Sequence, residues 1–498
     1  MKILLANAPW SKPGHYGVRA GSRWPHFESN GTCYMPFPFF LAYAAALLKK
    51  NGFDVLLIDA IAEKLSESEF FSRIEKSRPD VVLYEVSTAS IRTDLAIASK
   101  TRELLGPGAK IVFAGAHKEM HSPGFLETHK DVDFVLVGEY EFALLELLDR
   151  LRDGKDLRDA LGIVFREPGG AVVQTPPRPL EKDLDAFPWP AREFLPMHNY
   201  MDTPGGIPTP SLQLWASRGC PFKCIFCAWP QIIYGGSHYR TRTPKDVVDE
   251  LEWCVKKYGF KSFYFDDDTF NIGKPRIMEL AREIRDRKIG LPWAVMARAD
   301  TMDLEMLVAL KEAGLCALKY GVESGSQKLV SSACKGLDLG KVRETVRFTR
   351  ELGIKYHLTF MFGLPGETWE TVRESIRFAL EMDPDSIQFS ITTPFPGSQF
   401  YEMMEEKGYL LSKDFSEYDG YNRAVVRTDA MTAKELEEAH RMALAEWGRH
   451  RMMKDIRTRK LDYFLYGLAH PIKALNRARE LLFTAPPSAI DKAGKAEK

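Results

Sequence analysis

Short apolar runs alternate with helix-period segments along the first part of the chain. The apolar runs have the length of buried parallel strands and lie at 2–6, 55–59, 81–85, 110–114 and 134–137. Between them, apolar residues recur at helical spacing over 39–51, 66–77 and 92–105. This rhythm predicts a doubly wound, Rossmann-like α/β domain over residues 1–150.

Small residues follow several of these predicted strands. Ligands of a doubly wound sheet bind beyond the carboxyl ends of the strands, which places the candidate loops at 7–10, 86–90, 115–120 and 138–141. The small residues in these loops would let a bulky ligand approach the backbone closely. They are Ser87, Thr88, Gly115 and Gly138.

The alternation stops between residues 151 and 210. Two short apolar runs, at 163–166 and 171–174, flank a Pro-Gly-Gly turn and predict a small β hairpin. The stretch 176–196 is rich in proline, and so many prolines cannot form a core helix. Residues 151–210 are therefore predicted to be an interdomain linker that carries a hairpin.

Strands and helices alternate again from residue 211 to about residue 400. Predicted strands lie at 213–217, 262–266, 293–297, 317–322, 356–362 and 386–392. In barrels built from such repeats, the chemistry gathers at the carboxyl ends of the strands. Charged or turn-forming residues follow the five later strands, and the cysteine-rich loop described below follows the first.

The chain beyond residue 400 has helical apolar spacing, most clearly at 432–447. The next stretch, 449–483, is basic and rich in aromatic and aliphatic residues. Such a face can lie on anionic lipid, and it can equally pack on the preceding domain and cover its active site. Both interpretations stay open for the region 401–498, whose end at 485–498 is predicted to be disordered.

Charge and hydropathy limit the classes of protein to which this chain can belong. The 68 basic and 68 acidic residues cancel, so no overall field attracts nucleic acid. The start of the chain turns polar too soon for a signal peptide, and no apolar run approaches the roughly 20 residues that span a bilayer. These features predict a cytoplasmic enzyme, with membrane association only through the C-terminal region.

Three of the seven cysteines, Cys220, Cys224 and Cys227, form one CxxxCxxC run. Thiolates at this spacing can hold three corners of an iron–sulfur cube and leave the fourth iron free to bind another molecule. A structural zinc site usually has four ligands, often in two pairs, and the other cysteines are scattered singly. An odd and sparse set of cysteines also disfavours a disulfide scaffold. The three cysteines are therefore predicted to bind a 4Fe–4S cluster.

This motif resembles that of the radical S-adenosylmethionine (SAM) enzymes, and FDDDTF, GVESGSQ, FGLPGET and TTPFPGS at later strand ends are similar to that family. The resemblance implies a partial (βα)6 barrel over 211–400 with SAM bound at its carboxyl end. The predicted SAM-binding residues are Asp267, Asp268, Arg298, Glu323, Ser324, Gly363 and Pro365. The alternatives are helix capping by the aspartates, an ion pair for Glu323 and an ordinary turn around Gly363.

The domain ahead of this motif resembles the cobalamin-binding domain of cobalamin-dependent radical SAM enzymes, through YMPFPFFLAYAAALLKKNGFDV, FAGAHKEM and LVGEYEFALLELL. The implied cobalamin-binding residues are Ser87, Thr88, Gly115, Gly138 and Glu139. The cobalt-ligating motif DxHxxG is absent, and His15 and His121 are interpreted as surface or loop residues. A domain that kept this fold and lost its cofactor is the alternative.

The resemblance also implies a reaction. The cluster would cleave SAM to a 5′-deoxyadenosyl radical that abstracts hydrogen from an unactivated carbon, which would then receive a methyl group from cobalamin. The phrase CAWPQIIYGGSHYRTRTP is similar to enzymes of hopanoid and related lipid metabolism. This similarity implies the alternative of rearrangement, cyclisation or C–C bond formation on a lipid or isoprenoid substrate without methyl transfer. A cobalamin or redox sensor is disfavoured by the nearly complete set of SAM-site phrases.

The implied partners are a small-molecule or lipid substrate and an external electron donor such as flavodoxin or ferredoxin. No nucleic acid is expected as a partner, because the charges balance. No single side chain is identified as catalytic.

Overall fold

The first of two large sheets lies in the N-terminal part of this computed structural model, which describes residues 1–10, 15–17, 27–28 and 34–458. The strands up to residue 174 are β1 Lys2–Asn7, β2 His15–Tyr16, β3 Phe27–Glu28, β4 Asp54–Asp59, β5 Val81–Val86, β6 Lys110–Gly115, β7 Phe134–Leu136, β8 Ile163–Arg166 and β9 Val172–Gln174. The helices are α1 Phe39–Lys50, α2 Glu67–Ser77, α3 Ile91–Leu105, α4 Pro123–Thr128 and α5 Glu141–Asp153.

Five parallel strands in the order β4-β1-β5-β6-β7 form the body of this sheet. The strand order reverses at β1, which is the point where doubly wound sheets bind their ligands. Alternate residues of β1 belong to different apolar cores: Ile3 and Leu5 pack with α1 and α5, whereas Leu4 and Ala6 pack with α2 and α3. The predicted doubly wound fold is confirmed.

The hairpin predicted within 151–210 is present, and it extends this sheet. β8 pairs antiparallel with β7, and β9 pairs antiparallel with β8, so the sheet has seven strands. The sequence predicts the hairpin from its local turn, but it carries no local signal for the pairing of β8 with β7. Ile163, Val164 and Phe165 are all buried, and an apolar strand of this kind is stable only where a sheet edge and a core cover it.

The second large sheet contains six parallel strands in the order β10-β13-β14-β15-β16-β17. The strands from residue 211 onward are β10 Ser211–Leu214, β11 Ser217–Gly219, β12 Tyr239–Thr241, β13 Ser262–Phe265, β14 Trp293–Ala297, β15 Leu315–Glu323, β16 Lys355–Phe362 and β17 Ser386–Ile391. The helices are α6 Ala228–Ile233, α7 Pro244–Tyr258, α8 Lys274–Asp286, α9 Leu304–Glu312, α10 Gln327–Ser332, α11 Leu339–Glu351, α12 Trp369–Met382, α13 Gln399–Glu406 and α14 Ala433–Thr458. The six predicted βα repeats are confirmed.

Burial alternates along β16 in a way that separates two environments. Tyr356, Leu358, Phe360 and Phe362 are buried against the surrounding helices. The intervening His357, Thr359 and Met361 are only half-buried. Side chains alternate between the two faces of a strand, so the second set lies on the inner face of the second sheet, away from these helices.

The long helix α14 covers one side of this second sheet. It contacts α12, β16 and β17, and its residues Leu436, Ala439, His440 and Ala443 are buried. This matches the amphipathic helix predicted at 432–447. Most of the basic and apolar stretch at 449–483 lies outside the described residues, and no described helix is both long and apolar enough to cross a membrane.

One apolar core joins the two sheets. It contains residues of the first sheet, such as Leu5, and residues of the second, such as Leu212. At the junction, the ring of Phe39 on α1 stacks on Trp215 with 4.2 Å between centroids. The first sheet is therefore packed directly against the elements that carry the cysteine-rich loop.

Candidate cofactor site

The loop that carries Cys220, Cys224 and Cys227 follows β11 and leads into α6. All three are partly exposed, and none of them forms a disulfide. The Cys227 N–H donates to the Cys224 carbonyl at 3.2 Å, and the Gln231 amide on α6 donates to the Cys227 carbonyl at 2.8 Å. The backbone of the loop is thus satisfied locally, and the Cys220 sulfur lies 3.0 Å from the Thr269 hydroxyl.

Two aspartates after β13 hold the strand that precedes the cysteines. Asp267 is buried and accepts a hydrogen bond from the Ser217 hydroxyl, and Asp268 accepts one from the Gly219 N–H at 3.0 Å. Burial raises the pKa of Asp267 to about 6, and the Ser217 hydrogen bond opposes that rise. The next helix, α8, begins further along the chain without a side-chain cap, so these aspartates brace the cysteine loop rather than cap a helix.

Arg298, at the end of β14, lies against the cysteine loop. Its guanidinium sits 3.5 Å from the ring centroid of Phe222, which stands between the first two cysteines. It also donates to both oxygens of Asp300, at 2.9 and 2.7 Å. The planar fork of arginine suits carboxylates in this way, and its stacked face fixes the orientation of the charge.

A buried lysine that the sequence analysis missed completes this corner of the site. Lys335 follows α10, and its ammonium lies 3.0 Å from Glu323 at the end of β15. The Thr359 hydroxyl donates to the other oxygen of Glu323 at 3.3 Å. Lys335 is not at a strand end, and nothing in its local sequence indicates burial, so no signal in the sequence identifies it.

The thiols and these cations influence one another. Burial raises the pKa of Cys224, and the nearby cations Lys335 and Arg298 act in the opposite direction. Positive charge beside a cysteine favours its thiolate, which is the form that binds iron. The same charges would also favour an anionic group, such as a carboxylate, next to the loop.

The remaining predicted SAM-binding residues shape turns around this corner. Ser324 is fully buried, and its hydroxyl hydrogen-bonds to that of Ser375 on α12 at 3.1 Å. Gly363 has a left-handed φ of 105°, and its N–H donates to Glu367 at 3.2 Å. The Pro365 carbonyl accepts a hydrogen bond at 3.1 Å from the hydroxyl of the last residue of α10. Ser324 therefore faces a helix, whereas Gly363 and Pro365 form a turn.

The loop after β5 contains a buried hydroxyl cluster. The Ser87 N–H donates to the Ser90 hydroxyl at 3.1 Å, and Ser90 donates to Asp94 at 2.5 Å. Thr88 lies 3.4 Å from Nδ1 of His117, which follows β6. The predicted residues Ser87 and Thr88 thus lie at the carboxyl edge of the first sheet, next to the loop after β6.

Two glycines allow close backbone approach at the same edge. A Cβ on Gly115, whose φ is 122°, would lie 2.3 Å from the Val86 carbonyl. A Cβ on Gly138, whose φ is 76°, would lie 3.0 Å from the Ile233 carbonyl on α6. Because α6 directly follows Cys227, the loop after β7 reaches the cysteine loop. The structure therefore brings Gly138, one of the predicted cobalamin-binding residues, next to the helix that follows the cysteine loop.

The carboxylate of Glu139 forms ion pairs with two arginines from the second part of the chain. Its carboxylate lies 2.8 Å from Arg218 and 2.8 Å from Arg240. Glu141, the first residue of α5, lies 2.7 Å from the same Arg218. All four side chains are buried, so Glu139 links the two sheets through ion pairs.

Two family profiles match the chain. The Radical SAM superfamily matches residues 216–379, and the B12 binding domain matches residues 35–148. An uncharacterized methyltransferase of Pyrococcus horikoshii is 30% identical over 383 residues, which are 76% of this chain and 81% of that protein. The chain belongs to the B12-binding radical SAM family.

Other relatives of this radical SAM enzyme are named for different reactions. Anaerobic magnesium-protoporphyrin IX monomethyl ester cyclase of Rubrivivax gelatinosus is 28% identical, over 80% of this chain and 71% of that protein. Hopanoid C-3 methylase of Methylococcus capsulatus is 27% identical, over 77% of this chain and 71% of that protein. Methyltransferases and cyclases both occur among the relatives.

Solved structures share the fold of this radical SAM enzyme. The cobalamin-dependent enzyme OxsB, with aqua-cobalamin and SAM bound, aligns with a TM-score of 0.70 and 15% identity over 99% of this chain and 74% of that chain. The methyltransferase TsrM of Kitasatospora setae, with cobalamin and a [4Fe–4S] cluster, aligns with a TM-score of 0.63 and 21% identity over 82% and 75%. These likenesses confirm the predicted fold.

The cofactors of this radical SAM enzyme are a 4Fe–4S cluster, SAM and cobalamin, as the sequence predicted. The residues of the site fit these groups. Three partly exposed thiols with two adjacent cations suit a cluster and a carboxylate. Gly115 and Gly138, where a Cβ would approach protein backbone, keep the loops after β6 and β7 closely packed at the carboxyl edge of the first sheet, where doubly wound sheets bind their ligands.

The interpretation of His121 as a surface or loop residue holds only in part. It lies in the connection between β6 and α4, as expected of a loop residue, but it is buried rather than at the surface. Burial lowers its pKa to about 3, and the positive charge of Lys118 contributes. Its sequence context, next to a serine and a proline, suggested a loop, but the short helical turn Lys118–His121 directs it inward.

Replacing His121 with glutamine is expected to weaken the acid sensitivity of this radical SAM enzyme. An unfolded histidine binds a proton near pH 6.5, whereas folded His121 does so only near pH 3, so its contribution destabilises the fold progressively as pH falls between these values. Between pH 6 and 4, His121 should therefore lower the free energy of unfolding of the wild type by about 1.4 kcal/mol per pH unit. The variant lacks this contribution, so its free energy of unfolding should fall less steeply by that amount. Urea denaturation at several pH values measures this difference. His198→Gln, at an exposed position, is the control, and equal slopes for His121→Gln and the wild type would contradict the prediction.

Proposed function

We propose that this protein is a cobalamin-dependent radical SAM methyltransferase that methylates an unactivated carbon. The observation that supports this most directly is the close approach of the loop after β7 to α6, at Gly138 and Ile233. Because α6 directly follows Cys227, a cofactor held by the first sheet and a cluster on the cysteines would face one cavity. Transfer of a methyl group to a radical requires that proximity.

When bound, the cluster and SAM supply a 5′-deoxyadenosyl radical, and cobalamin supplies the methyl group. The chain contributes position and charge. Arg298 and Lys335 would attract the carboxylate of SAM, while Glu323 would balance its ammonium. Asp267 and Asp268 would act through the strand before Cys220, which they brace.

The proposed SAM-binding residues are Asp267, Asp268, Arg298, Glu323, Ser324, Gly363 and Pro365, with Lys335 added. The proposed cobalamin-binding residues are Ser87, Thr88, Gly115, Gly138 and Glu139. Of these, Ser324 would act by fixing the turn after β15, since its hydroxyl faces α12. Glu139 would act through its ion pairs, since two arginines occupy its carboxylate.

We infer four regions, at 1–150, 151–210, 211–400 and 401–498. The hairpin of the second region completes the first sheet. The half-buried residues that face the interior of the second sheet, His357 and Thr359 among them, support a small-molecule substrate with hydrogen-bonding groups. A flavodoxin or ferredoxin would supply the electron, and contact of 449–483 with a membrane stays a prediction.

Cyclisation, rearrangement or C–C bond formation without methyl transfer is the second candidate. The cyclase of Rubrivivax gelatinosus, at 28% identity over 80% of this chain, favours it. The hopanoid methylase, at 27% identity, supports a lipid or isoprenoid substrate for either reaction. The two candidates share the first chemical step and differ in whether a methyl group leaves SAM.

Analysis of the products of SAM separates these candidates. The holoenzyme is incubated anaerobically with methyl-deuterated SAM, a reductant and an extract of the host's small molecules. For a C-methyltransferase we expect equal amounts of 5′-deoxyadenosine and S-adenosylhomocysteine, together with a product that carries the label. The label will appear in the lipid fraction if the substrate is a lipid. Formation of 5′-deoxyadenosine without S-adenosylhomocysteine would contradict methylation and favour cyclisation.

A further inference from the structure

A buried cluster of two carboxylates and two guanidinium groups joins the first sheet to the base of the cysteine loop. Glu139 and Glu141 belong to the segment after β7, while Arg218 and Arg240 belong to β11 and β12. The exposed fractions of these side chains are 5%, 0%, 3% and 9%. Two positive and two negative charges cancel, so the cluster is neutral as a whole.

Arg218 is enclosed by aromatic rings as well as carboxylates. Its guanidinium lies 4.3 Å from the ring centroid of Phe187 and 4.5 Å from that of Tyr43. An arginine held between ring faces and two carboxylates has little freedom to change its orientation. Buried ion pairs of this kind often contribute little net stability, because desolvation offsets their attraction. Stability alone therefore does not account for this arrangement.

The position of Arg218 is transmitted directly to the first cluster ligand. It stands two residues before Cys220 on β11. Opposite it in the antiparallel pair is Arg240, the other arginine of the cluster. Gly219, between Arg218 and Cys220, is tied to Asp268 at 3.0 Å. A shift of Arg218 thus moves the base of the cysteine loop.

The same cluster constrains the loop of the first sheet. Glu139 follows Gly138, whose backbone approaches α6 beyond Cys227. The cysteine loop is therefore in contact with the segment Gly138–Glu141 at both of its ends, through Arg218 before Cys220 and through α6 after Cys227. Two contacts on opposite sides of a loop fix its orientation as well as its distance.

We propose that Arg218 is a positioning residue that sets the cysteine loop against the segment after β7, and thereby sets the separation of the iron–sulfur cluster from cobalamin. This inference rests on the proposed function, because it assumes both cofactors in one cavity. Arg218 touches neither cofactor in this role. It acts through Glu139 and Glu141 on one side and through Gly219 on the other.

A double variant separates positioning from the cost of a buried charge. Arg218→Met with Glu141→Met removes one charge of each sign and leaves the Glu139–Arg240 pair, which is 2.8 Å long, in place. The matched control is Arg192→Met with Glu250→Met, which removes an equally buried pair, 2.8 Å long. That control also takes Glu250, at 2.5 Å, from Arg242 and leaves Arg242 paired with Asp246, just as the first variant leaves Glu139 paired with Arg240. Arg192 is not part of the cysteine loop.

The measurement is electron paramagnetic resonance of the fully loaded enzyme, with the cluster reduced and cobalamin in its cob(II)alamin form. The dipolar interaction between the two spins falls with the cube of their separation. We expect the Arg218→Met/Glu141→Met variant to change the spin–spin broadening relative to the wild type, and the control variant to leave it unchanged. Deuterium exchange in 216–224 should also rise by about tenfold or more in the first variant only. Arg218→Lys, which keeps the charge but loses the fork, should give a change in the same direction.

Unchanged broadening and exchange in the Arg218→Met/Glu141→Met variant, or equal changes in the control, would overturn the inference. The proposed function is judged separately on the wild type. If the wild-type protein binds both cofactors and transfers the methyl label, only the role of Arg218 is at stake in the variants. If the wild-type protein fails to bind cobalamin, the proposed function fails before the variants are compared.

Discussion

Replacement of Cys224 by alanine is expected to abolish the iron content of the protein and the formation of 5′-deoxyadenosine. A cube held by three thiolates keeps only two protein ligands after this change, which is one fewer than the three on which the site depends. After anaerobic reconstitution, the wild type should contain about four irons per chain and the variant almost none. Iron and sulfide analysis, together with the visible absorbance of the cluster, measures this loss.

The control for this change is Cys254→Ala. Cys254 is a free thiol buried within α7, where burial raises its pKa to about 12, so it is neither accessible nor ionised enough to bind iron. This variant should keep its full iron content. Retention of four irons in Cys224→Ala would contradict the assignment of the cysteine loop as the cluster site.

Replacement of Gly219 by alanine is expected to destroy the cluster site without removing any ligand. Gly219 has a left-handed φ of 82°, and a Cβ there would lie 2.0 Å from the carbonyl oxygen of His238. The backbone conformation alone costs a non-glycine residue about 1–2 kcal/mol, and the contact with a backbone atom can be relieved only by separating β11 from β12. Because Cys220 is the next residue, that movement displaces a cluster ligand, and the iron content should fall severalfold.

The matched control is Gly235→Ala, in the same part of the chain. Gly235 also has a left-handed φ, of 66°, but no atom lies within 4 Å of its added Cβ. This variant carries the backbone cost without the collision, so it should lose about 1–2 kcal/mol of stability and keep its cluster. Similar iron contents in Gly219→Ala and Gly235→Ala would show that the pairing of β11 with β12 does not position Cys220.

The strands of both sheets could be predicted from the sequence because buried parallel strands are nearly continuous apolar runs. The predicted strand at 293–297 matches β14, and the helix at 92–105 differs from α3 by one residue. The cluster site could also be predicted, since its chemistry depends on the local spacing of the cysteines. Features carried by short, local patterns could therefore be predicted.

Features that depend on distant residues could not be predicted from the sequence. The pairing of Arg218 with Glu139 joins residues 79 positions apart, and neither residue has a pattern that names its partner. Lys335 is buried only because β15, α10 and the cysteine loop converge around it. The burial of His121 likewise follows from tertiary packing, as does the addition of the hairpin to the first sheet.

The alternation of burial along β16 has a consequence for how the family can diversify. Tyr356, Leu358 and Phe360 support the packing of the helices, so substitutions there cost folding free energy. His357 and Thr359 lie on the inner face, where their side chains contact Ser386 and Glu323 rather than the helices. Mutations at every second residue can therefore alter what the interior accepts while the fold is retained. One strand thus offers separate positions for the evolution of specificity and for the conservation of structure.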